Sequence, residues 1–437
     1  KKFQRRGERN SMIDLKELKS RRDEIERNIR VRNMNVDIDA IIELQERRSA
    51  LMMEAESLRA KRNENAQKMK GKLDPQDRAV LIAEGKGLKE SIASVEEQLN
   101  AVEQAFSEQA RTIPNYAHPD APVGKEDKDN TAIKFSGTIP RFTFKAKDHV
   151  QLGETLDLID FDTATRVSGP KFYYLKREAV ILQMALERYA MDIVIKHGFT
   201  PFITPDIAKE EILSGIGFNP RGEESNIYTI EGTGSCLVGT AEITLGGYYA
   251  DQILEREQLP IKMAGLSHCF RREAGGAGQY SKGLYRVHQF SKLEMFIYCL
   301  PEQSDAYHQQ LLAIEEEIFS GLGLAYRVVD TCTGDLGAPA YRKFDIEAWM
   351  PGRGENGEYG EVTSTSNCTD YQARSLSIRY RDENGKTQFV HMLNGTAIAL
   401  SRAMVAILEN YQTEDGSVLI PNSLVPYTGF TKIEARA

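Results

Sequence analysis

Apolar side chains recur every three or four residues from residue 37 to residue 110, with one interruption. In the first part the repeating positions are Ile41, Leu44, Arg48, Leu51, Ala55, Leu58, Arg62, Asn65 and Met69. In the second part they are Leu81, Leu88, Ile92, Val95, Leu99, Val102 and Phe106. This heptad spacing predicts two long helices that pack along one seam. Because a breaker from Gly71 to Pro75 joins them, we predict an antiparallel coiled-coil hairpin about 50 Å long.

The chain changes in character after this hairpin. Residues 115–148 are rich in Pro, Asp and Lys, which predicts a linker. From residue 149 onward, strand-like and helix-like patterns alternate, and one of them predicts a helix from Lys176 to His197. We therefore divide the chain into an N-terminal domain (1–114), the linker (115–148) and an α+β domain (149–437).

One predicted hairpin in the α+β domain combines charged, aromatic and glycine residues. The stretch from Ser267 to Phe296 has the pattern of a strand, a Gly-rich loop and a return strand that begins at Leu284. Arg271 can hold a phosphate or carboxylate with both arms of its guanidinium, and Phe290 offers a ring for stacking a base. Glu273 can accept a hydrogen bond from an exocyclic amine. These residues suit a nucleoside triphosphate, and a structural ion pair is the alternative.

Two pairs of polar residues are further candidates for a site. Thr240 and Glu242 lie two positions apart, hence on one side of the chain if it is extended there. The alternative is a helix start that Thr240 caps. Glu361 and Ser364 are a carboxylate and a hydroxyl spaced to converge on a hard cation such as Mg²⁺ from a strand or its bend. A solvated strand edge is the alternative for that pair.

The last segment predicts a strand from Met392, a glycine turn and a helix from Ala399 to Glu409. Arg402 lies in the first turns of that helix. If Arg402 faces Phe290, the two side chains can hold an adenine between a cation and a ring. An ordinary surface charge is the alternative.

Charge is unevenly distributed along the chain. The net charge is −8, yet residues 1–114 hold 24 Lys and Arg against 21 Asp and Glu. A basic cluster lies at the distal end of the predicted hairpin: Arg59, Lys61, Arg62, Lys68, Lys70 and Lys72. A phosphate backbone would bind these cations by counterion release, whereas a dimer seam would gain nothing from them. We therefore expect the hairpin to bind nucleic acid, and a dimerisation or spacer coiled coil is the alternative.

Composition excludes several classes of protein. No apolar run approaches the roughly eighteen residues that a membrane span needs, so we expect no membrane association. The five cysteines form no CxxC pair, which argues against a structural zinc and fits a reducing compartment. The Lys- and Arg-rich first ten residues lack the apolar core of a secretory signal.

The sequence FRREAG…GLYRVHQFSKLE resembles motif 2 of the class II aminoacyl-tRNA synthetases, and it is similar to the seryl-tRNA synthetase family in particular. The helix, strand and Pro205 ahead of it resemble motif 1, and the strand and helix with Arg402 resemble motif 3. The resemblance covers roughly residues 11–430. It implies a class II antiparallel sheet flanked by helices, with a coiled-coil arm that reaches the tRNA. It also implies activation of serine by ATP, transfer of serine to tRNA, and a homodimer.

The resemblance also implies a role for particular residues. Catalysis would depend on Arg271, Glu361 and Arg402. Serine would be held by Thr240, Ala241, Glu242, Arg271, Glu294, Asn394 and Thr396. ATP would be held by Arg271, Arg272, Glu273, Val287, His288, Gln289, Phe290, Glu361, Val362, Thr363, Ser364 and Arg402. Mg²⁺ would be bound by Glu361 and Ser364, and tRNA by the basic cluster.

The implied partners are L-serine, ATP and the serine tRNA with its long variable arm, with the selenocysteine tRNA as a further acceptor. The phrase GLYRVHQFSKLEMF looks closest to plant organellar enzymes of this family. We therefore expect a cytoplasm-like compartment such as the mitochondrial matrix or plastid stroma, with the bacterial cytoplasm as the alternative.

Two rival functions remain open. One is a paralogue that charges a carrier protein, and the other is a non-catalytic tRNA-binding relative. The basic arm argues against the first, and the joint presence of Arg271, Glu273, Glu294, Glu361 and Arg402 argues against the second.

Overall fold

A computed structural model describes residues 17–71, 73–219, 225–274 and 280–436. Contacts between residues divide the chain into two compact units. The first comprises Lys1–Arg30 and Met34–Pro114, and the second comprises Val31–Asn33 and Asn115–Ala437.

The first unit contains the two predicted long helices. Its helices are α1 (Arg22–Val31), α2 (Ile38–Lys68) and α3 (Pro75–Ala110). Asp37 caps α2 by accepting a hydrogen bond from the Ala40 amide at 2.9 Å. Asp74 caps α3 in the same way, and Pro75 occupies the first helical position, where its missing N–H costs nothing. The sequence thus stops one helix and starts the next within a few residues.

The seam between α2 and α3 is apolar in its middle and polar toward the turn. The apolar part is formed by Leu51, Ala55, Val95, Leu99 and Val102. Further out, Asn65 is buried and its amide donates to the Leu81 carbonyl at 3.1 Å and to Glu84 at 2.9 Å. A side chain on Gly85 would lie 3.2 Å from the Asn65 oxygen, so glycine makes room for this contact. A buried amide of this kind fixes the register of paired helices.

The second unit is built around an eight-stranded sheet. Its strands are β1 (Thr131–Ser136), β2 (Ile159–Asp160), β3 (Tyr174–Leu175), β4 (Thr200–Ile203), β5 (Ile207–Lys209), β6 (Thr229–Ile230), β7 (Ser235–Leu237), β8 (Ile253–Glu255), β9 (Ile261–Phe270), β10 (Gln289–Cys299), β11 (Tyr326–Asp330), β12 (Arg342–Met350), β13 (Glu358–Asn367), β14 (Arg379–Arg381), β15 (Thr387–Phe389), β16 (His391–Ala399), β17 (Val418–Leu419) and β18 (Lys432–Ile433). Its helices are α4 (His149–Thr155), α5 (Phe161–Ser168), α6 (Glu178–Lys196), α7 (Glu210–Ile216), α8 (Glu242–Gly246), α9 (Ser304–Gly321), α10 (Tyr371–Leu376), α11 (Leu400–Asn410) and α12 (Val425–Thr428).

The strand order of the large sheet is β1-β11-β12-β13-β16-β10-β9-β4. Every neighbouring pair is antiparallel except β9 and β4, which run parallel. The predicted α+β class with an antiparallel sheet and flanking helices is confirmed. One element differs from the prediction, because β1 lies within residues 115–148, the segment predicted as a linker. That segment therefore supplies an edge strand of the central sheet.

The two faces of the sheet have opposite chemistry. Met295 and Leu293 on β10 are fully buried among apolar residues of α6, α9 and α11. Lys292 and Glu294, which alternate with them in sequence, point to the other face, where the strand carries charge. The polar face is the one on which ligands would find partners.

Two β-bulges set which residues reach the polar face. Opposite β12, the pairing of β13 shifts so that Val362 is an extra residue between Glu361 and Thr363. As a result Glu361 and Ser364, three positions apart, point the same way, which a regular strand would forbid. Opposite β10, the pairing of β16 shifts in the same manner at Ala397.

Two local predictions are wrong in detail. Gly395 does not form a turn, because β16 continues through it to Ala399. The return strand of the Gly-rich hairpin begins at Gln289 rather than at Leu284. A 3-10 turn from Gly283 to Tyr285 comes first.

The glycine at position 395 is explained by what lies behind it. A side chain there would be 2.9 Å from a carboxylate oxygen of Glu315 on α9. Glu315 is completely buried, and the Thr363 hydroxyl donates to it at 2.7 Å. Burial, with the nearby charges of Glu294 and Asp345, raises the pKa of Glu315 well above its ordinary value. Burial therefore favours the protonated form of Glu315 beneath the sheet.

No helix among residues 17–71, 73–219, 225–274 and 280–436 is both long enough and apolar enough to span a membrane.

Replacing Glu315 with Gln should make stability less sensitive to pH. The wild-type chain must take up a proton at Glu315 on folding once the unfolded carboxyl is ionised. Its free energy of unfolding therefore falls as pH rises from the ordinary carboxyl pKa toward the raised one. We expect the advantage of Glu315→Gln over wild type to grow by up to about 1.4 kcal/mol per pH unit in that window. Urea unfolding of both proteins at several pH values measures this, and a difference that stays constant with pH would contradict it.

Candidate active site

A cavity of about 260 Å³ opens on the polar face of the sheet. Its walls are formed by Phe218, Thr240, Glu242, Arg271, Lys292, Glu294, Glu361, Val362, Thr363, Ser364, Ser366, Asn394, Thr396, Ala399 and Arg402. Eleven of these fifteen residues are among the predicted site residues. The polar candidates on β10, β13 and β16 thus meet at one place, together with Thr240, Glu242, Arg271 and Arg402.

One end of the cavity is organised around Glu242. Glu242 is the first residue of α8, and the Thr240 hydroxyl accepts a hydrogen bond from its amide at 3.2 Å. The local structure is therefore a helix start rather than an extended chain, although the N-cap is Ala241 and not Thr240, and both side chains still face the cavity. The side-chain amides of Asn394 and Gln372 donate to one oxygen of Glu242, at 3.0 and 2.8 Å. Two amides thus hold this carboxyl in one orientation.

A second carboxyl lies close to the first. Glu294 is buried and forms an ion pair with Lys292. Thr396 joins them, because its hydroxyl lies 3.2 Å from the Lys292 amine and 3.3 Å from a Glu294 oxygen. Burial, assisted by the neighbouring Glu294, raises the pKa of Glu242 to about 7, although Lys292 and Arg271 act in the opposite direction. This end of the cavity therefore offers two carboxyls that attract a cation or a hydroxyl group.

Arg271 occupies the middle of the site, directly after β9. Its Nε donates to the Gly239 carbonyl at 3.2 Å, so the guanidinium is tied to the loop that carries Thr240. The same guanidinium lies over the Phe290 ring, 5.2 Å from its centre. The remaining donors of Arg271 are available to an anion in the cavity.

The far end of the cavity contains an ion pair between β13 and α11. Arg402 donates to the carboxylate of Glu361 at 2.9 Å and to its backbone carbonyl at 3.0 Å. Partial removal from water raises the pKa of Glu361, but Arg402, Lys343 and Arg271 outweigh this, so the net pKa is lowered. Glu361 remains an anion that is 46% exposed and able to bind a cation.

The predicted stacking of Arg402 on an adenine opposite Phe290 involves rings that already have neighbours. The Arg402 guanidinium lies 4.7 Å from the centre of the Tyr285 ring, and Phe290 is covered by Arg271. The Tyr285 hydroxyl donates to the Glu361 carbonyl at 3.1 Å. An adenine between Phe290 and Arg402 would therefore have to stack on the face of the Phe290 ring that Arg271 does not cover.

The turn that carries Tyr285 is held by a buried pair. His149 bonds Glu409 through Nδ1 at 2.7 Å and accepts from the Leu284 amide through Nε2 at 3.1 Å. The second oxygen of Glu409 accepts from the Gly352 amide at 2.8 Å. One carboxylate thus links α4, α11, the Tyr285 turn and the β12–β13 connection.

The oxygen donors near Glu361 suit a hard cation. Glu361 and Ser364 share a face because of the β13 bulge, and Asp345 lies opposite Ser364 on β12. One oxygen of Asp345 is buried without a hydrogen-bond partner among the described residues. Burial, with Glu361 nearby, raises the pKa of Asp345 to about 6, while Lys343 and Ser364 oppose that shift. Mg²⁺ commonly takes one or two protein carboxylates and completes its shell with phosphates and water, so Glu361 and Ser364 fit it.

No cluster of three or more His, Cys, Asp or Glu side chains capable of holding a metal is present in the described part of the chain. A metal at Glu361 and Ser364 would therefore depend on ligands from a bound substrate.

Seven predicted site residues do not line the cavity: Ala241, Arg272, Glu273, Val287, His288, Gln289 and Phe290. Glu273 forms an ion pair with Arg286 at 2.7 Å, and Ala241 is fully buried. His288 Nδ1 lies 2.9 Å from the Arg271 carbonyl, so it supports the strand end from which Arg271 projects. These residues surround the cavity on the side of the Gly-rich hairpin.

Four wall residues were missed by the sequence analysis: Phe218, Lys292, Ser366 and Ala399. Lys292 precedes Glu294 by two positions on one strand, so the alternation of β10 places both on the same face. That signal was present in the sequence. No comparable pattern marks Phe218, which follows α7 in an irregular segment.

The basic cluster of the N-terminal hairpin is mostly open to solvent. Lys61, Arg62, Lys68 and Lys70 are exposed, and Arg59 is paired with Glu96 at 2.6 Å. Lys72 lies outside the described residues.

Comparison with known proteins assigns both parts of the chain. A family model for the tRNA synthetase class II core domain (G, H, P, S and T) matches residues 228–411. A model for the seryl-tRNA synthetase N-terminal domain matches residues 12–117.

Similar proteins cover nearly the whole chain. The serine–tRNA ligase of Treponema denticola is 64% identical over 422 residues, which are 97% of this chain and 100% of that protein. The serine–tRNA ligase of Borreliella afzelii is 54% identical over 422 residues, 97% of this chain and 99% of that one. The crystal structure of seryl-tRNA synthetase from Pyrococcus horikoshii complexed with ATP matches with a TM-score of 0.85 and 39% identity, covering 97% of this chain and 100% of that one. The chain therefore belongs to the seryl-tRNA synthetase family of class II aminoacyl-tRNA synthetases.

Proposed function

We propose that the cavity carries out the serine–tRNA ligase reaction of this family. L-serine and ATP would give seryl-adenylate and pyrophosphate, and serine would then pass to the 3′-terminal adenosine of the tRNA. The observation that carries this proposal is the set of charges that line one cavity. Glu242, Glu294 and the Glu361–Arg402 pair lie in its walls together with Arg271, whose charge lowers the pKa of both Glu242 and Glu361.

The carboxyl end would hold serine. Glu242 and Glu294 would attract its ammonium group, and the Thr240, Asn394 and Thr396 side chains supply further polar contacts in the same wall. A site that hydrogen-bonds a hydroxyl group discriminates strongly against an analogue that lacks it, because buried polar groups are then left unpaired. Alanine would be rejected for this reason.

Arg271 would bridge the two reactants. Its guanidinium can pair with the serine carboxylate and with the α-phosphate at once, bringing the attacking oxygen to the phosphorus. Charge on the phosphorus oxygens increases during the displacement, and a fixed guanidinium stabilises it without reorganising. No general base is required, because the serine carboxylate is already ionised at neutral pH.

The remaining predicted residues would fix ATP. Glu361 and Ser364 would hold Mg²⁺, which supplies charge neutralisation for the phosphates. Glu273, the Val287–Phe290 segment and Arg402 would place the adenosine. The ATP named for the Pyrococcus horikoshii structure supports ATP as the nucleotide.

We further propose the partners implied by the sequence. The exposed cations of the N-terminal hairpin would bind the backbone of the serine tRNA at its long variable arm, and the selenocysteine tRNA is a further acceptor. The chain would act as a homodimer. The bacterial sources of the similar proteins favour the bacterial cytoplasm over the organellar compartments expected from the GLYRVHQFSKLEMF phrase.

Arg271→Ala should abolish adenylate formation. We expect pyrophosphate exchange into ATP with serine, and not with alanine, glycine, threonine or cysteine, and a loss of at least about a hundredfold in the variant. Arg381→Ala, which removes a half-exposed arginine on β14, is the matched control and should exchange as wild type does. Exchange that survives Arg271→Ala would contradict the proposed role, and no exchange by folded wild type with any amino acid would contradict the function.

Neutralising the arm should separate tRNA charging from serine activation. Replacing Lys61, Arg62, Lys68 and Lys70 with Gln removes four positive charges, which would otherwise neutralise up to four phosphates. We expect weaker tRNA charging and a salt dependence of tRNA binding that is shallower by about one unit of slope for each phosphate no longer neutralised. Serine-dependent exchange should stay unchanged, because that reaction needs no tRNA. Normal charging with an unchanged salt dependence would show that the arm does not bind the tRNA.

A further inference from the structure

An arginine beside the cavity has hydrogen-bonding groups that the protein leaves unused. Arg353 lies in the connection between β12 and β13, and its side chain is 19% exposed. Its Nε and Nη1 are buried and make no hydrogen bond among the described residues. The carboxylate paired with it, on Glu358, lies 3.5 Å from Nε and is itself 60% exposed, so water screens that attraction. Buried donors without acceptors cost free energy, which an incoming acceptor would recover.

Two aromatic rings hold the Arg353 guanidinium in place. It lies 4.5 Å from the centre of the Tyr280 ring and 4.8 Å from that of Tyr285. The Tyr280 hydroxyl is also buried without a partner in the described part of the chain. Stacking between these rings, with a hydrogen bond to Tyr285, therefore fixes a cation whose Nε and Nη1 have no partner of their own among the described residues.

This cluster touches the wall of the active site. The Tyr285 ring that Arg353 contacts is also contacted by Arg402, whose guanidinium lies 4.7 Å from the ring centre. Since both guanidinium groups lie against the same ring, the distance between them cannot exceed the sum of their two distances to the ring centre. The Tyr285 hydroxyl in turn donates to the Glu361 carbonyl. Arg353 is therefore tied to the end of the cavity that contains the proposed Mg²⁺ ligands.

Gly360 leaves the space that Arg353 uses. A side-chain carbon on Gly360 would lie 3.0 Å from Arg353 Nη1 and 3.1 Å from the Tyr285 oxygen, tighter than a normal contact. Gly360 immediately precedes Glu361 on β13. The absence of a side chain at this position thus leaves room for the guanidinium against Tyr285.

We propose that Arg353 is a binding residue for the terminal phosphates of ATP, the part that leaves as pyrophosphate. This inference rests on the proposed function. Around the α-phosphate, serine occupies the Glu242 end and the adenosine occupies the Phe290 side. The leaving phosphates extend from Glu361, where Arg353 and Tyr280 supply donors that no other part of the substrates would use. Phosphate oxygens are the acceptors that a fixed guanidinium binds best.

The test compares two nucleotides that differ only in those phosphates. Titration calorimetry measures the dissociation constants of Mg-ATP and AMP for wild type and Arg353→Gln. We expect the Mg-ATP dissociation constant to rise roughly tenfold, the effect of removing one charge-assisted hydrogen bond, while that of AMP changes less than about twofold. The KM for pyrophosphate in the exchange reaction should rise in parallel with the Mg-ATP dissociation constant.

Arg327→Gln is the matched control. Arg327 also stacks on a ring, with its guanidinium 4.9 Å from the centre of Tyr359. Its Nε, unlike that of Arg353, already donates a hydrogen bond, to Glu347 at 2.6 Å. It should leave both dissociation constants unchanged. Arg353→Lys keeps the charge, and it should show a smaller loss with the same preference for Mg-ATP. That variant decides the matter if Arg353→Gln does not fold.

Equal weakening of Mg-ATP and AMP would overturn the proposal, because Arg353 would then act through Tyr285 on the whole site. Unchanged binding of both nucleotides would overturn it as well. The titrations contain neither serine nor tRNA. Serine-dependent exchange by wild type therefore tests the proposed function separately, and either conclusion can fail while the other stands.

Discussion

The active site depends on the strict alternation of side chains along the strands of one antiparallel sheet. Alternation sends Leu293 and Met295 into the core and leaves Lys292 and Glu294 on the polar face. A regular strand would also send Glu361 and Ser364 to opposite faces, because they are three residues apart. The extra residue at Val362 changes the phase of β13, and only then do the carboxylate and the hydroxyl point into one cavity. The Mg²⁺ geometry that we propose exists only because of that single extra residue.

The same bulge also affects the contacts on the buried side of the sheet. Thr363 belongs to the cavity wall, and its hydroxyl donates to Glu315 beneath β13. Glu315 in turn occupies the space behind Gly395, so one buried carboxyl group on α9 contacts two strands of the site.

The charged side chains of the cavity are already held in position before a substrate binds. Lys292 pairs with Glu294, Arg402 pairs with Glu361, and Arg271 lines the same cavity. Each substrate group can therefore enter beside a partner of opposite charge that the sheet already holds in position. Adenylate formation needs orientation and charge stabilisation more than proton transfer, and a rigid strand scaffold supplies both.

Much of this organisation could be predicted from the sequence. The heptads predict the hairpin of α2 and α3, and the alternation around Arg271 indicates the β9–β10 pair. The bulge at Val362 could not be predicted, because a one-residue shift in pairing depends on the partner strand and leaves no local pattern. The sequence favours a turn at Gly395 because it does not reveal that Glu315 lies behind that glycine. The strand β1 is hidden in a segment whose Pro and Asp content is typical of a linker.

The most direct test of the account is a crystal structure of the protein with a hydrolysis-resistant seryl-adenylate analogue. We expect the seryl group to lie against Glu242 and Asn394, the phosphate on Arg271, and the adenine on the face of the Phe290 ring that Arg271 leaves open. An analogue bound in the reverse direction, or outside the cavity on the polar face, would contradict it.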